Sequence, residues 1–419
     1  MQIKIALNGY LDKSGRSNIR IGQHTWDAFK FCGLTGLALA VALAVYLASR
    51  LELSIWIMAG IIVSALLTFL GFSFITKIIT GEEQLIYYHH EIAVLTVGAV
   101  LLWLLNQPIL QYLDVTILGV GMFLACGRVG CFMVGCCHGK PASWGVSYPA
   151  NNLETGFNPH FVGVRLFPIQ VLESLWAFGI VIVGTILVLT GRPPGEALAW
   201  YVVTYGLGRF FFEFMRGDHE RHYYLGFSEA QWTSLLLMVA VVWAGRDGIM
   251  NLQLWHQLAT AFVGLTMVVV AVRKVMVQGT SGYFILDAPH LREIAEATQL
   301  ASNLAVKELD FSLQGNVPVN INVGCTSLGI QISSSRINYV EGSTYHYTIS
   351  SQKGMLREMV ARAIAKFILR IKHPNDPHEF SKGNSNSVFH LLIHISKDQE
   401  SEGPMAVDAS TKVYVERYL

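Results

Sequence analysis

The chain has 419 residues, of which 52% are hydrophobic and only 14% charged, with a formal net charge of +1. Soluble domains carry about 25% charged residues, so this composition argues for a polytopic membrane protein and against a wholly soluble one. A charge this close to neutral gives no electrostatic reason to expect nucleic acid or an acidic partner.

Residues 1–30 are polar and mildly basic, without the short apolar core and small-residue cleavage site of a secretory signal. They read as an N-terminal interfacial segment. Eight apolar runs follow, at 31–48, 53–75, 90–105, 112–126, 168–189, 197–214, 229–244 and 255–275. Crossing a hydrocarbon core of ~30 Å takes about 20 apolar residues. Lipid offers nothing to the open edge of a sheet, so each run is predicted as an α-helix. Residues 137–167 form the one longer extramembrane connection.

From Gly282 the composition changes. "NVPVNINVGC", "LGIQISS", "TYHYTIS" and "SVFHLLIHIS" have the period-two, β-branched pattern of strands. Residues 355–372 have the spacing of an amphipathic helix, and "KHPNDPHEFSKGNSNS" reads as a loop. The expected fold is an all-α polytopic membrane domain of seven to eight transmembrane helices (31–275), followed by a small α+β soluble domain (282–419). Lys4, Lys13, Arg16, Arg20 and Lys30 precede the first run and Arg50 alone follows it. The positive-inside rule then favours a cytoplasmic N-terminus and, with eight spans, a cytoplasmic C-terminal domain.

Charges appear where a bilayer should exclude them. In "ALAWYVVTYGLGRFFFEFMRGD", Arg209 and Glu213 are one helical turn apart, and Arg216 follows. A charge at the centre of a membrane helix costs about 2.5–3.5 kcal/mol on insertion scales, so such residues default to function. The alternative is a structural ion pair, with Arg216 reaching for the interface. Arg128 lies in "CGRVGCFMVGCCHGKP" among Gly127, Gly130, Gly135 and Gly139. Peptide N–H groups and a bidentate cation are what a phosphate needs; close packing of helices through small residues is the other reading. His89, His90 and Glu91 open the third run, offering either a general base or a polar helix start. Arg165, Gln170 and Glu173 flank the start of the fifth, where carboxylates are routine dipole partners.

Four of the six cysteines lie between Cys126 and Cys137. Cys126, Cys131 and Cys136 step by five with Cys137 adjacent, which fits a paired zinc motif poorly. No metal and no cofactor are expected, and the cysteines read as small, soft packing residues.

Together these motifs resemble the bacterial prolipoprotein diacylglyceryl transferase family. "GRVGCFMVGCCHGK" is similar to its signature Gly-Arg-x-Gly-Asn-Phe-x-Asn-Gly-Glu-x-x-Gly-Arg. "RLFPIQVLE", "YGLGRFFFEFMRGD" and "FSEAQWTS" resemble three further blocks in the family's order. Cys131, Val134, Cys136 and Lys140 replace the signature's two asparagines, its glutamate and its last arginine, and His90 matches a family histidine whose following glycines are missing here. The resemblance implies seven helices with an outside N-terminus, opposite to the charge count. It implies a multi-pass protein of the bacterial plasma (inner) membrane. It also implies transfer of a diacylglyceryl group from phosphatidylglycerol to the lipobox cysteine of a prolipoprotein. In that scheme His90, Arg128, Arg209 and Glu213 are catalytic. Gly130, Cys131, Gly139, Gln170, Glu173 and Arg216 bind substrate. Partners are membrane lipid and prolipoprotein, with no nucleic acid. The competing readings are a related phospholipid-binding protein or head-group transferase with another acceptor, and a lipid sensor signalling through its C-terminal domain.

Overall fold

The computed structural model describes residues 2–81, 86–218, 222–278, 287–304, 322–339, 342–354, 356–374, 376–384 and 387–396. Residues 1–30 hold more structure than an interfacial segment. Helix α1 (Gln2–Ser14) leads into an antiparallel hairpin of β1 (Asn18–Ile21) and β2 (His24–Asp27). Asp27 then caps α2 (Ala28–Arg50) by accepting from the Lys30 amide at 2.8 Å. Next come α3 (Ile55–Thr80), α4 (Tyr87–Leu104) and α5 (Ile109–Val134). A ribbon of β3 (Pro141–Ser147) and β4 (Arg165–Leu166) joins α5 to α6 (Ile169–Leu189). Helix α7 (Glu196–Phe212) is followed by a small hairpin, β5 (Tyr223–Tyr224) and β6 (Phe227–Ser228). Helix α8 (Glu229–Arg246) opens on a capping box of Ser228 and Gln231, which satisfies two amides that a helix start leaves open. Helix α9 (Leu254–Gln278) ends this part.

Five of these helices, α2, α3, α5, α6 and α9, are long and apolar enough to cross a membrane. Helices α4, α7 and α8, of 18, 17 and 18 residues, are shorter and carry polar groups. Helix α5 is the centre of the bundle: 61% of its apolar stretch is buried, against 11% for α3 and α9.

The fourth apolar run continues eight residues beyond Cys126, to Val134, so Gly127 and Gly130 are helical and the turn begins only at Gly135. A Cβ on Gly130 would lie 3.1 Å from Cys32 Cβ, and one on Gly36 would lie 2.7 Å from Cys126 Cβ. Small residues here let α2 and α5 approach backbone to backbone. On this geometry Gly130 serves helix packing.

The C-terminal region holds α10 (Ala288–Leu304), β7 (Asn322–Cys325), β8 (Ile330–Tyr339), β9 (Gly342–Ser351), α11 (Glu358–Lys372), β10 (His378–Lys382) and β11 (Val388–Ser396). The strands form one antiparallel sheet in the order β10-β11-β9-β8-β7. Two readings of the sequence change. The segment taken as a loop contains β10, an edge strand whose Phe380 ring stacks on Phe389. The helix α10 buries Leu291, Ile294, Ala295, Thr298 and Ala301 at helical spacing. Residues 316–321 of the expected first strand lie outside the described residues.

The C-terminal region and α1 share a core with the β3–β4 ribbon: Leu11, Val146, Tyr148 and Leu166 belong to one apolar cluster with Leu291 and Ile364. Asn8 accepts from the Gly145 amide at 3.0 Å, and Asp12 accepts from Ser147 and pairs with Arg165 at 2.5 Å. Arg370 donates to the Pro141 carbonyl at 2.8 Å. These parts therefore gather at the end of the bundle where α5 stops and α6 starts.

Replacing Gly36 by Leu is expected to destabilise the protein by about 1–3 kcal/mol through overpacking. Gly60→Leu, at a glycine with nothing within 4 Å, should not; thermal unfolding of both variants in detergent separates them.

Candidate functional site

Helix α5 brings Arg128 to its last two turns, α6 carries Glu173 in its second turn, and α7 ends with Arg209. Glu213 follows in a 3-10 turn, with Arg216 and Asp218 just beyond. Because α5 and α7 end where α6 begins, these side chains converge. Glu173 is the hub. Its Oε1 is 3.1 Å from Arg128 Nη2 and 3.7 Å from Arg209 Nε, and its Oε2 is 3.7 Å from Arg216 Nη1. Tyr205 donates its hydroxyl to Oε1 at 3.0 Å. Glu213 pairs with Arg209 at 2.5 Å, and Asp218 holds Arg216 by two bonds of 2.8 Å. All six charged residues are at most 7% exposed.

Burying one charge alone costs several kcal/mol, whereas matched charges in hydrogen-bond geometry offset it. Three guanidiniums face three carboxylates, so the cluster is neutral by count and stable without a ligand. It also keeps donor capacity in hand: Arg128 Nε and Arg216 Nη1 are buried and make no hydrogen bond among the described residues. A buried N–H aimed at no acceptor is a place for an anionic oxygen.

The segment after α5 ties this cluster together through its backbone. Gly139 bridges Arg216, the Lys140 amide donates to Met215 at 3.0 Å, and that of Gly217 donates to His138 at 2.9 Å. A Cβ on Gly139 would stand 2.4 Å from the Phe167 carbonyl oxygen. The close approach this glycine permits is to the protein's own chain. Gln170 donates to the Cys136 carbonyl at 2.9 Å, pinning the same turn. Burial pushes the His138 imidazole and the Lys140 ammonium below their usual ranges.

His90 takes no part in this network. Its Nδ1 lies 2.9 Å from the Ile86 carbonyl, its Nε2 3.0 Å from Ser73 Oγ, and Phe69 and Phe72 flank its ring. His89 pairs instead with Glu229. Between α4 and the arginines lies an aromatic layer: Tyr87 bonds Tyr201 at 2.7 Å, Tyr88 bonds Ser234 at 2.7 Å, and both rings meet Tyr205. Cys131 is buried in the last turn of α5.

The alternative reading that sent Arg216 to the interface does not hold, since the structure buries it. Sequence reasoning gave Glu173 only a supporting place and missed Asp218 and Tyr205. One signal was available: Tyr205, Arg209 and Glu213 step by four along one helix face.

Residues 17–245 match the model of the prolipoprotein diacylglyceryl transferase family. That span runs through α8, includes every residue of the arginine cluster, and ends before α9 and the C-terminal region. Phosphatidylglycerol–prolipoprotein diacylglyceryl transferase 2 of Clostridium perfringens is 30% identical over 136 residues, 31% of this chain and 49% of that protein. The Clostridium tetani transferase is 32% identical over 113 residues, 27% of this chain and 44% of that protein. With Streptococcus agalactiae serotype Ia the identity is 29% over 242 residues, 53% of this chain and 91% of that protein. The chain thus spans about half the length of the Clostridium relatives it matches.

Glu173→Ala would leave three buried guanidiniums without their common partner. A loss of about 3–5 kcal/mol is expected, with a smaller loss for Glu173→Gln, which still accepts from Tyr205. Unfolding midpoints of the three proteins in detergent check this; an unshifted Glu173→Ala midpoint would contradict the hub.

Proposed function

Because the chain belongs to the prolipoprotein diacylglyceryl transferase family, we propose that it moves a diacylglyceryl group from phosphatidylglycerol to the lipobox cysteine thiol of a prolipoprotein. In this reading it is a multi-pass enzyme of the bacterial plasma membrane. Helices α2 to α9 make eight crossings, the arginine cluster lies at the outer end, and residues 282–419 form a separate soluble domain on that same side. The crossing parity supports this arrangement. Starting from α1, an even number of passes returns the chain to the end where α1 and the β3–β4 ribbon meet the C-terminal sheet. A cytoplasmic C-terminal domain would require the cluster to be cytoplasmic too.

The observation that carries the proposal is the buried cluster with donors left over on Arg128 Nε and Arg216 Nη1. Phosphatidylglycerol presents one phosphate anion between an apolar diacylglyceryl group and a polar glycerol. Arg128 and Arg209 hold that phosphate, with Arg216 beside them. As the bond between the glyceryl carbon and the phosphate oxygen breaks, the electron pair moves onto the phosphate, and fixed guanidiniums in a low-dielectric site offset the growing charge. Glu213 and Glu173 hold the arginines in place between turnovers. The thiol must lose its proton to attack well, and His90 is assigned that proton. With Nδ1–H given to Ile86, its Nε2 is the basic nitrogen, resting on Ser73. Exposed apolar side chains such as Leu67, Leu70 and Phe74 of α3 suit the two acyl chains. Gln170 fixes the turn over the head group, and Gly130, Gly139 and Cys131 shape its wall rather than touch phosphate through their backbones.

A different acceptor or head group is the second reading. It is favoured by Cys131, Val134, Cys136 and Lys140 standing at signature positions.

Arg209→Ala is expected to lower transfer of labelled diacylglycerol from phosphatidylglycerol to a lipobox peptide by about 10²–10³-fold, the size of losing one charge-stabilising donor. Arg209→Lys, which keeps the charge and loses the fork, should fall between. Unchanged transfer by a folded Arg209→Ala protein would overturn the proposal.

A further inference from the structure

We propose that Cys131, Cys136 and Cys137 form a binding site for one thiophilic d10 cation, Zn²⁺ or Cu⁺, beside the arginine cluster. Their sequence spacing argued for packing; the folded chain groups them otherwise. Helix α5 ends at Val134, and Gly135 at φ +90° turns the chain back, with its amide on the Cys131 carbonyl at 2.9 Å. Cys137 then takes φ +54°, a second left-handed residue within three. A non-glycine residue in that region costs about 1–2 kcal/mol, so the turn is held against a local preference. Its effect is to fold two cysteines over the end of the helix onto the third. The three Sγ atoms lie within 4.8 Å of one another.

A tetrahedral zinc with bonds of about 2.3 Å places its sulfurs about 3.8 Å apart. Closing the set therefore needs roughly 1 Å of side-chain motion and no change of backbone. All three are free thiols, and the scaffold behind them is fastened. Tyr148 donates to the Phe132 carbonyl at 2.6 Å, Asn152 to those of Met133 and Val134 at 3.1 and 3.0 Å, and Gln170 to that of Cys136. Rigid support of this kind is what a small coordination site requires. Cys131 is buried, and Cys136 and Cys137 are partly buried as whole residues.

Three protein ligands leave a fourth position open, the arrangement of catalytic rather than structural zinc. That position would take a water molecule or an exogenous thiol, and the binding of the ion does not depend on the transferase reading.

The test uses the full-length protein purified under reducing conditions, loaded with Zn²⁺ or Cu⁺, freed of excess metal, and measured for bound ion. One ion per chain is expected. Cys136→Ser and Cys137→Ser should each weaken binding by more than about tenfold, since even loss of an outer-shell partner costs 10–100-fold. Cys126→Ser, outside the triad, should bind as the parent does. A Cd²⁺ titration, read by its sulfur-to-metal ultraviolet band, gives the same stoichiometry without relying on activity. The proposal is overturned if the parent binds neither ion, if binding persists in the Cys136→Ser/Cys137→Ser protein, or if intact mass under non-reducing conditions shows the native pair as a disulfide. No lipid or peptide enters this measurement, so its failure is distinct from a failure of transfer.

Discussion

One carboxylate organises this protein. Glu173 lies among three guanidiniums that the surrounding apolar helices would otherwise expel. Arg209 has Glu213 and Arg216 has Asp218 as a further partner, and Glu173 lies within 3.7 Å of all three arginines. In a low-dielectric interior this mutual dependence is strong: the same attraction that holds the set together makes each member costly to remove. The helix ends that carry these residues are thereby tied to one another, alongside the buried side chains of Phe132, Ile169 and Phe212.

The cluster's position follows from the chain's path. Each short turn reverses direction, so the end of α5, the start of α6 and the end of α7 fall at one level, as do α1, the β3–β4 ribbon and the C-terminal sheet. The other end holds different polar devices. There Asp114, buried in α5, accepts from the Gly195 and Leu198 amides at 2.7 Å each, capping the start of α7, and Glu196 accepts from Gln253 at 2.9 Å. The charges at that end close helix termini, whereas the arginine cluster leaves N–H groups unspent. The two ends therefore use buried charge differently.

Glycines contribute at both ends of the argument about ligands and packing. Gly36, Gly121 and Gly130 permit helix contact, with a Cβ on Gly121 falling 2.4 Å from the Tyr201 ring. Gly139 and Gly217 permit the backbone of the turn after α5 to meet that of the segment after α7. Their common consequence is to bring Arg128, Arg209 and Arg216 within reach of one acid, so the glycine-rich stretch serves the site through packing.

The sequence by itself determined the helices, because apolar runs of membrane length have no other way to satisfy their backbone in lipid. It also determined that Arg128, Arg209 and Glu213 need an explanation, and its motif order carried the family. It showed residues 2–27 only as an interfacial segment and β10 as a loop, since short helices, hairpins and single edge strands leave a weak periodic signal. The tertiary structure alone decided that Glu173 is the hub, that Arg216 is buried on Asp218, that His90 faces Ser73, and that three cysteines meet. Those outcomes depend on which helix ends share a level and which turn folds back. Such facts are distances between residues remote in the chain, and local periodicity does not encode them.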